Sequence, residues 1–305
     1  MQVVATLVVA WFVGAALVEQ WHAVRGQPLE LHPNWPIIVA SALVVLAAYA
    51  VLIEAWRRIL VAWNASLDFW PAARIMSVSR LGLYVPGRIW QMTAMIGMAQ
   101  SERVKPAAAV GSSVLNTIVN IATGFLVALA TGWRSFGAIS QGRTGVGIAL
   151  LVVGMIGILL LPSALPLIVD WARRVTGRDL FGATLPHRAV YVAIVANIVA
   201  WLLYGAAFEL FVLGMTGTAP GSYADYVTAW AWSYLAGYLA VIVPGGLGVR
   251  EGALALALGT LKLATPPTAV VIAVSSRLWL SILEIVPGVL FLKRAGGTRP
   301  RAPTT

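Results

Sequence analysis

Six apolar runs, each long enough to cross a bilayer, limit this chain more than any other feature: Val3–Trp21, Trp35–Trp56, Ala107–Gly132, Gly145–Trp171, Ala189–Met215 and Thr268–Leu292. A helix needs roughly 20 mainly apolar residues to span the hydrocarbon. The stretch from Gly147 to Leu161 is unbroken rather than alternating in polarity, which selects helices over a transmembrane β-barrel. Of the 305 residues, 60% are hydrophobic and 10% charged, against roughly 25% charged in soluble domains. Such a chain cannot cover its own surface in water, so lipid must be its solvent. The expected fold class is an all-α polytopic membrane protein.

The net charge of +10 would suit nucleic acid, but the basic residues form no domain. They sit at the ends of apolar runs, where the positive-inside rule puts them, so no nucleic-acid partner is expected. Trp21, Trp35, Trp56, Trp63, Trp70, Trp133 and Trp171 lie near segment ends, a placement that suits the headgroup level. With no cysteine, disulfides, zinc–thiolate sites and cysteine nucleophiles are excluded. His22, His32 and His187 sit at segment edges without metal-ligand spacing, and no nucleophile elbow, phosphate-binding loop or dinucleotide fingerprint occurs. No cofactor, metal or catalytic constellation is expected. Val3–Trp21 has no basic region before it and no clean cleavage site, so a retained first helix is expected rather than a signal peptide.

Two stretches do not read as simple spans. Pro71–Gln100 holds Arg74, Arg80, Arg88 and a Pro86-Gly87 break; Asp225–Leu261 holds Pro244-Gly245-Gly246, then Gly248, Arg250 and Glu251. A Pro-Gly step ends a helix, so each reads as helix, break, second helix. If both are re-entrant hairpins, one membrane side receives Arg57, Arg58, Arg74, Arg103, Lys105, Arg173, Arg174, Arg178, Arg188, Lys293, Arg294, Arg299 and Arg301. The other side receives only Arg25, Arg134, Arg143 and Lys262. Single crossings would largely erase that bias. The hairpin topology, with both termini in the cytoplasm, is therefore expected.

Laid together, the two stretches share landmarks in one order. Tyr84-Val85-Pro86-Gly87 resembles Ile242-Val243-Pro244-Gly245, and Tyr49 precedes Glu54 as Tyr204 precedes Glu209. Pro106-Ala107-Ala108-Ala109-Val110 resembles Pro266-Pro267-Thr268-Ala269-Val270. The expected organisation is one transmembrane domain over 1–305. Residues 35–132 form a first repeat, 145–171 a linking span, 189–292 an inverted second repeat and 293–305 a cytoplasmic tail. Inverted repeats with broken helices are a transporter architecture whose site lies near the midplane.

Irregular backbone at membrane depth must face protein or water, so Pro244–Gly252 is expected to line an interior site. Gly245, Gly246 and Gly248 let the backbone approach a ligand closely, and a helix starting near Arg250 would aim its positive end there. An anionic ligand such as a lipid phosphate suits that geometry, with Arg250 receiving it and Glu251 pairing with an arginine or a cationic headgroup. In the first hairpin, Arg88 and Gln91 follow the break. Arg88 offers a planar fork to phosphate, although Arg88 and Arg80 read equally as interface anchors. Arg277 and Glu284, seven residues apart, share one helix face. Arg277 is expected to pair with Glu251 or Glu284, a purely structural ion pair being the alternative. Asn116, Asn120 and Asn197 read as interhelical hydrogen-bonding residues, and Asp225 as a helix cap.

Val243-Pro244-Gly245-Gly246-Leu247-Gly248-Val249-Arg250-Glu251-Gly252 resembles the most distinctive motif of the transmembrane region of lysylphosphatidylglycerol synthases and their stand-alone, flippase-like relatives. Ser79–Arg88 resembles that family's earlier Pro-Gly element, and Arg277 falls where its last span carries an arginine. The likeness runs from about Trp35 to Lys293. It implies a bacterial cytoplasmic membrane protein that moves anionic or aminoacylated phospholipid, or polyprenyl-phosphate-linked lipid, between leaflets. Its partners would be membrane lipids with phosphate headgroups and a separate lipid-modifying enzyme, since no synthase domain follows the last span. Gln91 stands where the family often has an acidic residue, which implies a different headgroup. Two other readings stay open: an accessory subunit of a lipid- or glycolipid-modifying complex, and a membrane glycosyltransferase, which the scattered acids favour less.

Overall fold

The computed structural model describes residues 31–63, 65–84, 89–139, 144–176, 187–240, 246 and 248–295. Among them every regular element is helical: α1 (Trp35–Ala62), α2 (Phe69–Arg80), a 3₁₀ turn (Leu81–Tyr84), α3 (Ile89–Ser101), α4 (Pro106–Ile139), α5 (Thr144–Thr176), α6 (His187–Thr216), α7 (Tyr223–Leu239), α8 (Val249–Thr260) and α9 (Pro266–Ala295). The expected first helix Val3–Trp21, the Pro-Gly steps with Arg88 and Gly245, and residues 296–305 of the expected tail lie outside the described residues.

Four segments are long and apolar enough to cross a membrane: Trp35–Ala62, Pro106–Trp133, His187–Thr216 and Pro266–Lys293. They contain four of the six expected spans and extend each by two to six residues. α5, with 33 residues, covers the expected linking span and carries the apolar portion Leu151–Ala164. On α9 the exposed side chains Leu278, Ile282, Val286 and Leu290 recur every fourth residue. This is one continuous apolar stripe, stable facing lipid rather than water. By contrast α2, α3 and α8 have only 12, 13 and 12 residues, about 18–20 Å each at 1.5 Å per residue. That falls short of the roughly 30 Å hydrocarbon core.

Local sequence sets the helix ends. Asn34 accepts a hydrogen bond from the Ile37 N–H (3.4 Å) ahead of α1, whose first turn carries Pro36. Ser222 and Asp225 hold the start of α7, the Asp225 carboxylate accepting from the Ser222 N–H (2.9 Å) and hydroxyl (2.7 Å). Asp225 is thus the cap that its position predicts.

α1 and α6 pack side by side and antiparallel. The His32 and Asn34 N–H groups donate to the carbonyls of Met215 (2.8 Å) and Gly214 (2.7 Å), while Arg58, near the end of α1, lies beside His187 and Arg188 at the start of α6. The short helices come in packed pairs, α2 with α3 and α7 with α8; α9 covers α2 and α4 covers α7. The main core lies where α1, α6, α7, α8 and α9 meet, around Tyr49, Trp201, Phe208, Trp230, Leu254 and Trp279. Asn197 ties α6 to α4: it accepts from Asn120 Nδ2 (2.9 Å) and donates to Asn116 Oδ1 (3.4 Å). This is the interhelical role expected of all three asparagines.

One tryptophan departs from expectation. Trp35, Trp70 and Trp133 are exposed, as headgroup-level residues would be, but Trp56 is fully buried and its indole donates to Ser112 Oγ (2.9 Å). The helix does not end with the apolar run. It continues to Ala62, and Glu54 binds both Arg57 and Arg58 on the next turn. Trp56 therefore sits within the helix bundle, facing α4.

Candidate functional site

Between α7 and α8, Gly246 packs on backbone rather than on side chains. Gly246 has φ +64° and backs so tightly onto Gly237 of α7 that a Cβ there would strike the Gly237 carbonyl. Gly237 in turn leaves room for Arg250, since a Cβ on it would lie 2.8 Å from Arg250 Cβ. Gly248, at φ +81°, precedes α8 and donates its N–H to Glu251 Oε2 (2.6 Å). A carboxylate three residues into a helix satisfies a free N–H and meets the positive end of the helix dipole. Gly246 and Gly248 thus place Arg250 and Glu251 in the first turn of α8, directed into the protein.

Arg250 is buried at 6% exposure, with its guanidinium 4.7 Å from the ring centroid of Trp230 and 5.1 Å from that of Tyr234. Trp230 and Tyr234 are one turn apart on α7, so they form a single aromatic shelf. Glu251 Oε1 accepts no hydrogen bond and faces Arg277 Nε of α9 at 3.6 Å, one of the two pairings expected from sequence.

Two turns further along α9, Glu284 meets a second arginine. Arg80 Nη1, from the last turn of α2, lies 3.9 Å from Glu284 Oε1, and the Tyr49 hydroxyl donates to the same oxygen at 3.4 Å. The Arg80 guanidinium sits over the Tyr49 ring, 4.3 Å from its centroid. α2 and α9 approach this closely through Gly288, where a Cβ would come within 2.9 Å of the Ser77 carbonyl and 2.8 Å of Leu81. The two arginine centres are continuous through aromatic rings. Tyr49 packs on Tyr204 (6.1 Å), Tyr204 stacks on Trp230 (6.3 Å), and Tyr234, beneath Arg250, packs on Trp201 (5.3 Å). Tyr234 lies within electrostatic reach of both Arg80 and Arg250, as Glu284 does.

Of the residues singled out from sequence, Arg250, Glu251, Gly246, Gly248, Arg277 and Glu284 come together here. Gln91 lies in the first turn of α3, where its backbone abuts Gly82 of the 3₁₀ turn. Among the described residues no hydrogen bond or ion pair joins it to the cluster. Arg88 and Gly245 lie outside the described residues. Arg80 is the residue that sequence reasoning undervalued: 20% exposed and set against Tyr49 and Glu284, it joins the cluster. Tyr49 and Tyr204 had served only as repeat landmarks, yet they form the wall between the arginines. Among the described residues no group of three or more His, Asp or Glu side chains could hold a metal ion.

Fold and site together define a helical transmembrane protein with a buried arginine–carboxylate cluster between pairs of short helices. No protein-family model, curated protein or solved structure matches this chain.

Proposed function

We propose that this protein is a lipid translocase of the bacterial cytoplasmic membrane, passing the phosphate headgroup of an anionic or aminoacylated lipid through the arginine cluster while the acyl chains stay in the bilayer. The observation that carries the reading is a charge imbalance. Among the described residues, Arg80, Arg250 and Arg277 face Glu251 and Glu284, one positive charge in excess among side chains no more than 23% exposed. An uncompensated charge at membrane depth costs about 2.5–3.5 kcal/mol on insertion scales. Cation–π contacts, about 2 kcal/mol each when desolvated, let the Trp230 and Tyr234 rings hold Arg250, but rings supply no counter-charge. A phosphate would complete the balance, and guanidinium groups match its oxygens. The phenol of Tyr234, between the two arginine centres, suits a headgroup that moves from one to the other.

In this reading α2–α3 and α7–α8 are re-entrant hairpins of two inverted repeats, with both termini in the cytoplasm. Supporting it, the helix packings come in corresponding pairs: α9 on α2 answers α4 on α7, and α3 on α4 answers α8 on α9. α1 and α6, the first spans of the two repeats, lie antiparallel, and their tyrosines Tyr49 and Tyr204 meet. The resemblance to the flippase-like region of lysylphosphatidylglycerol synthases belongs to the same proposal. It rests on the sequence of Val243–Gly252, on that of Ser79–Arg88 and on Arg277.

The test is leaflet exchange of a fluorescent phosphatidylglycerol in proteoliposomes, for the wild type, Arg250→Ala and Glu251→Gln. Loss of one charge-assisted phosphate contact slows exchange about tenfold or more. Unchanged exchange in both variants, with the protein folded, overturns the assignment and leaves a structural ion cluster.

A further inference from the structure

A second site lies on the outer face of the bundle, away from the cluster. The first turns of α6 and the later turns of α1 leave between them a groove of about 840 Å³, open along one side. Its length is apolar, lined by Ala50 and Val51 of α1 and by Tyr191, Val192, Val195 and Ala196 of α6. From His187 to Ala196 the helix rises about 14 Å, the scale of an extended hydrocarbon chain. One end of the groove is charged: Glu54, Arg58, His187 and Arg188 border it.

The charge at that end is not balanced. Glu54 is shared between Arg57 (2.7 Å) and Arg58 (2.7 Å), and Arg188 stands exposed on α6. Among the described residues that line the groove, Arg58 and Arg188 stand against Glu54 alone, one positive charge in excess; Arg57, which also binds Glu54, lies outside the lining and has Asp68 within electrostatic reach. The opening turn of α6 adds the positive end of a helix dipole at the same place. Within a bilayer, exchanging one acyl chain for another in the groove gains almost nothing, because bulk lipid is equally apolar. Selectivity must therefore come from the headgroup.

We infer that this groove holds an anionic diacyl phospholipid of the adjoining leaflet, its phosphate between Arg58 and Arg188 and one acyl chain along Ala50, Val51, Tyr191 and Val195. The site stands apart from the central cluster and does not depend on translocation.

The test uses the full chain in vesicles of phosphatidylglycerol and phosphatidylcholine, each in turn carrying a photoactivatable acyl chain, with labelled peptides located by mass spectrometry. Phosphatidylglycerol is expected to label residues 50–58 and 187–196 in preference to phosphatidylcholine, by about fivefold for each arginine contributing. Arg58→Gln with Arg188→Gln brings the two lipids to parity. Val195→Trp keeps every charge but fills the groove, and abolishes labelling of both segments. Equal labelling by both lipids in the wild type overturns the inference. So does a phosphatidylglycerol preference that survives Val195→Trp, which would mean diffuse surface attraction. Because labelling is read by position, an Arg250→Ala protein that has lost exchange, or never had it, still reports on the groove.

Discussion

Tyr49 and Tyr204 meet edge to face with ring centroids 6.1 Å apart, and the Arg80 guanidinium lies over the Tyr49 ring at 4.3 Å. Two long antiparallel helices therefore touch through rings at a point where α2 delivers a cation. Tyr49→Phe keeps both ring contacts and loses only a 3.4 Å hydrogen bond to Glu284, so it should cost under about 1 kcal/mol. Tyr49→Leu removes the cation–π contact as well, worth about 2 kcal/mol when desolvated, and the ring pair, worth about 1 kcal/mol. Unfolding in mixed micelles should rank the wild type, Phe and Leu proteins in that order, with the larger step between Phe and Leu.

Arg277 and Glu251 form a cross-helix ion pair at 3.6 Å. Arg277→Ala brings the described charges of the cluster to two against two, yet it takes from Glu251 its ion-pair partner, while Arg250 is held against Trp230 and Tyr234. Losing one partner of a fully buried pair costs about 3–5 kcal/mol; with Arg277 23% exposed and Arg250 within electrostatic reach of Glu251, the loss should lie near the lower end, about 3 kcal/mol. Glu251→Gln in that background should recover much of the loss, because the glutamine amide oxygen still accepts from the Gly248 N–H. A double-mutant cycle measured by reversible unfolding checks this. Additive costs would mean that the two side chains do not couple.

The two glycines before α8 should not tolerate change equally. Both have positive φ, but a Cβ on Gly246 would strike the Gly237 backbone, while none of its neighbours lies within 4 Å of a Cβ on Gly248. Gly248→Ala should therefore cost about 1–3 kcal/mol, the strain of a sparsely populated backbone region, since φ +81° comes with ψ −44°. Gly248→Asn should give no relief, because asparagine's tolerance of positive φ is for the left-handed helical well, where ψ is positive. Gly246→Ala adds a clash with backbone that cannot rotate away, and should prevent α7 and α8 from closing. Yield of folded protein by size-exclusion chromatography separates the cases.

These features were unequally legible in the sequence. The spans could be read to within a few residues because an apolar run must match the hydrocarbon thickness. Arg277 with Glu251 followed from the rule that charges at membrane depth need partners. Arg80 was not legible as a member of the site. It ends a short helix of modest apolarity, where an arginine suits an interface as well as a core, and its partners Tyr49 and Glu284 lie on helices distant in sequence. Nothing in local spacing fixes how such helices are rotated about their axes. Trp56 misled for a related reason: hydropathy marks where an apolar run stops, and the helix runs on past it to Ala62.

Asn197 offers a contrast with the charged cluster. It joins Asn120 and Asn116 across α4 and α6, and its Nδ2 also donates to the Ala193 carbonyl one turn back (2.8 Å). A hydrogen bond between membrane helices averages about 0.6 kcal/mol and reaches at most about 1.7 kcal/mol, because the separated helices find other partners in the bilayer. Asn197→Leu is close in volume and leaves no buried charge behind. The loss should stay below about 2 kcal/mol despite the residue being fully buried, under the loss from Arg277→Ala. Unfolding of the two variants under one condition makes the comparison. If Asn197→Leu proves as damaging as Arg277→Ala, then polar burial in general, rather than the unbalanced charge of the arginines, dominates the energetics of this interior.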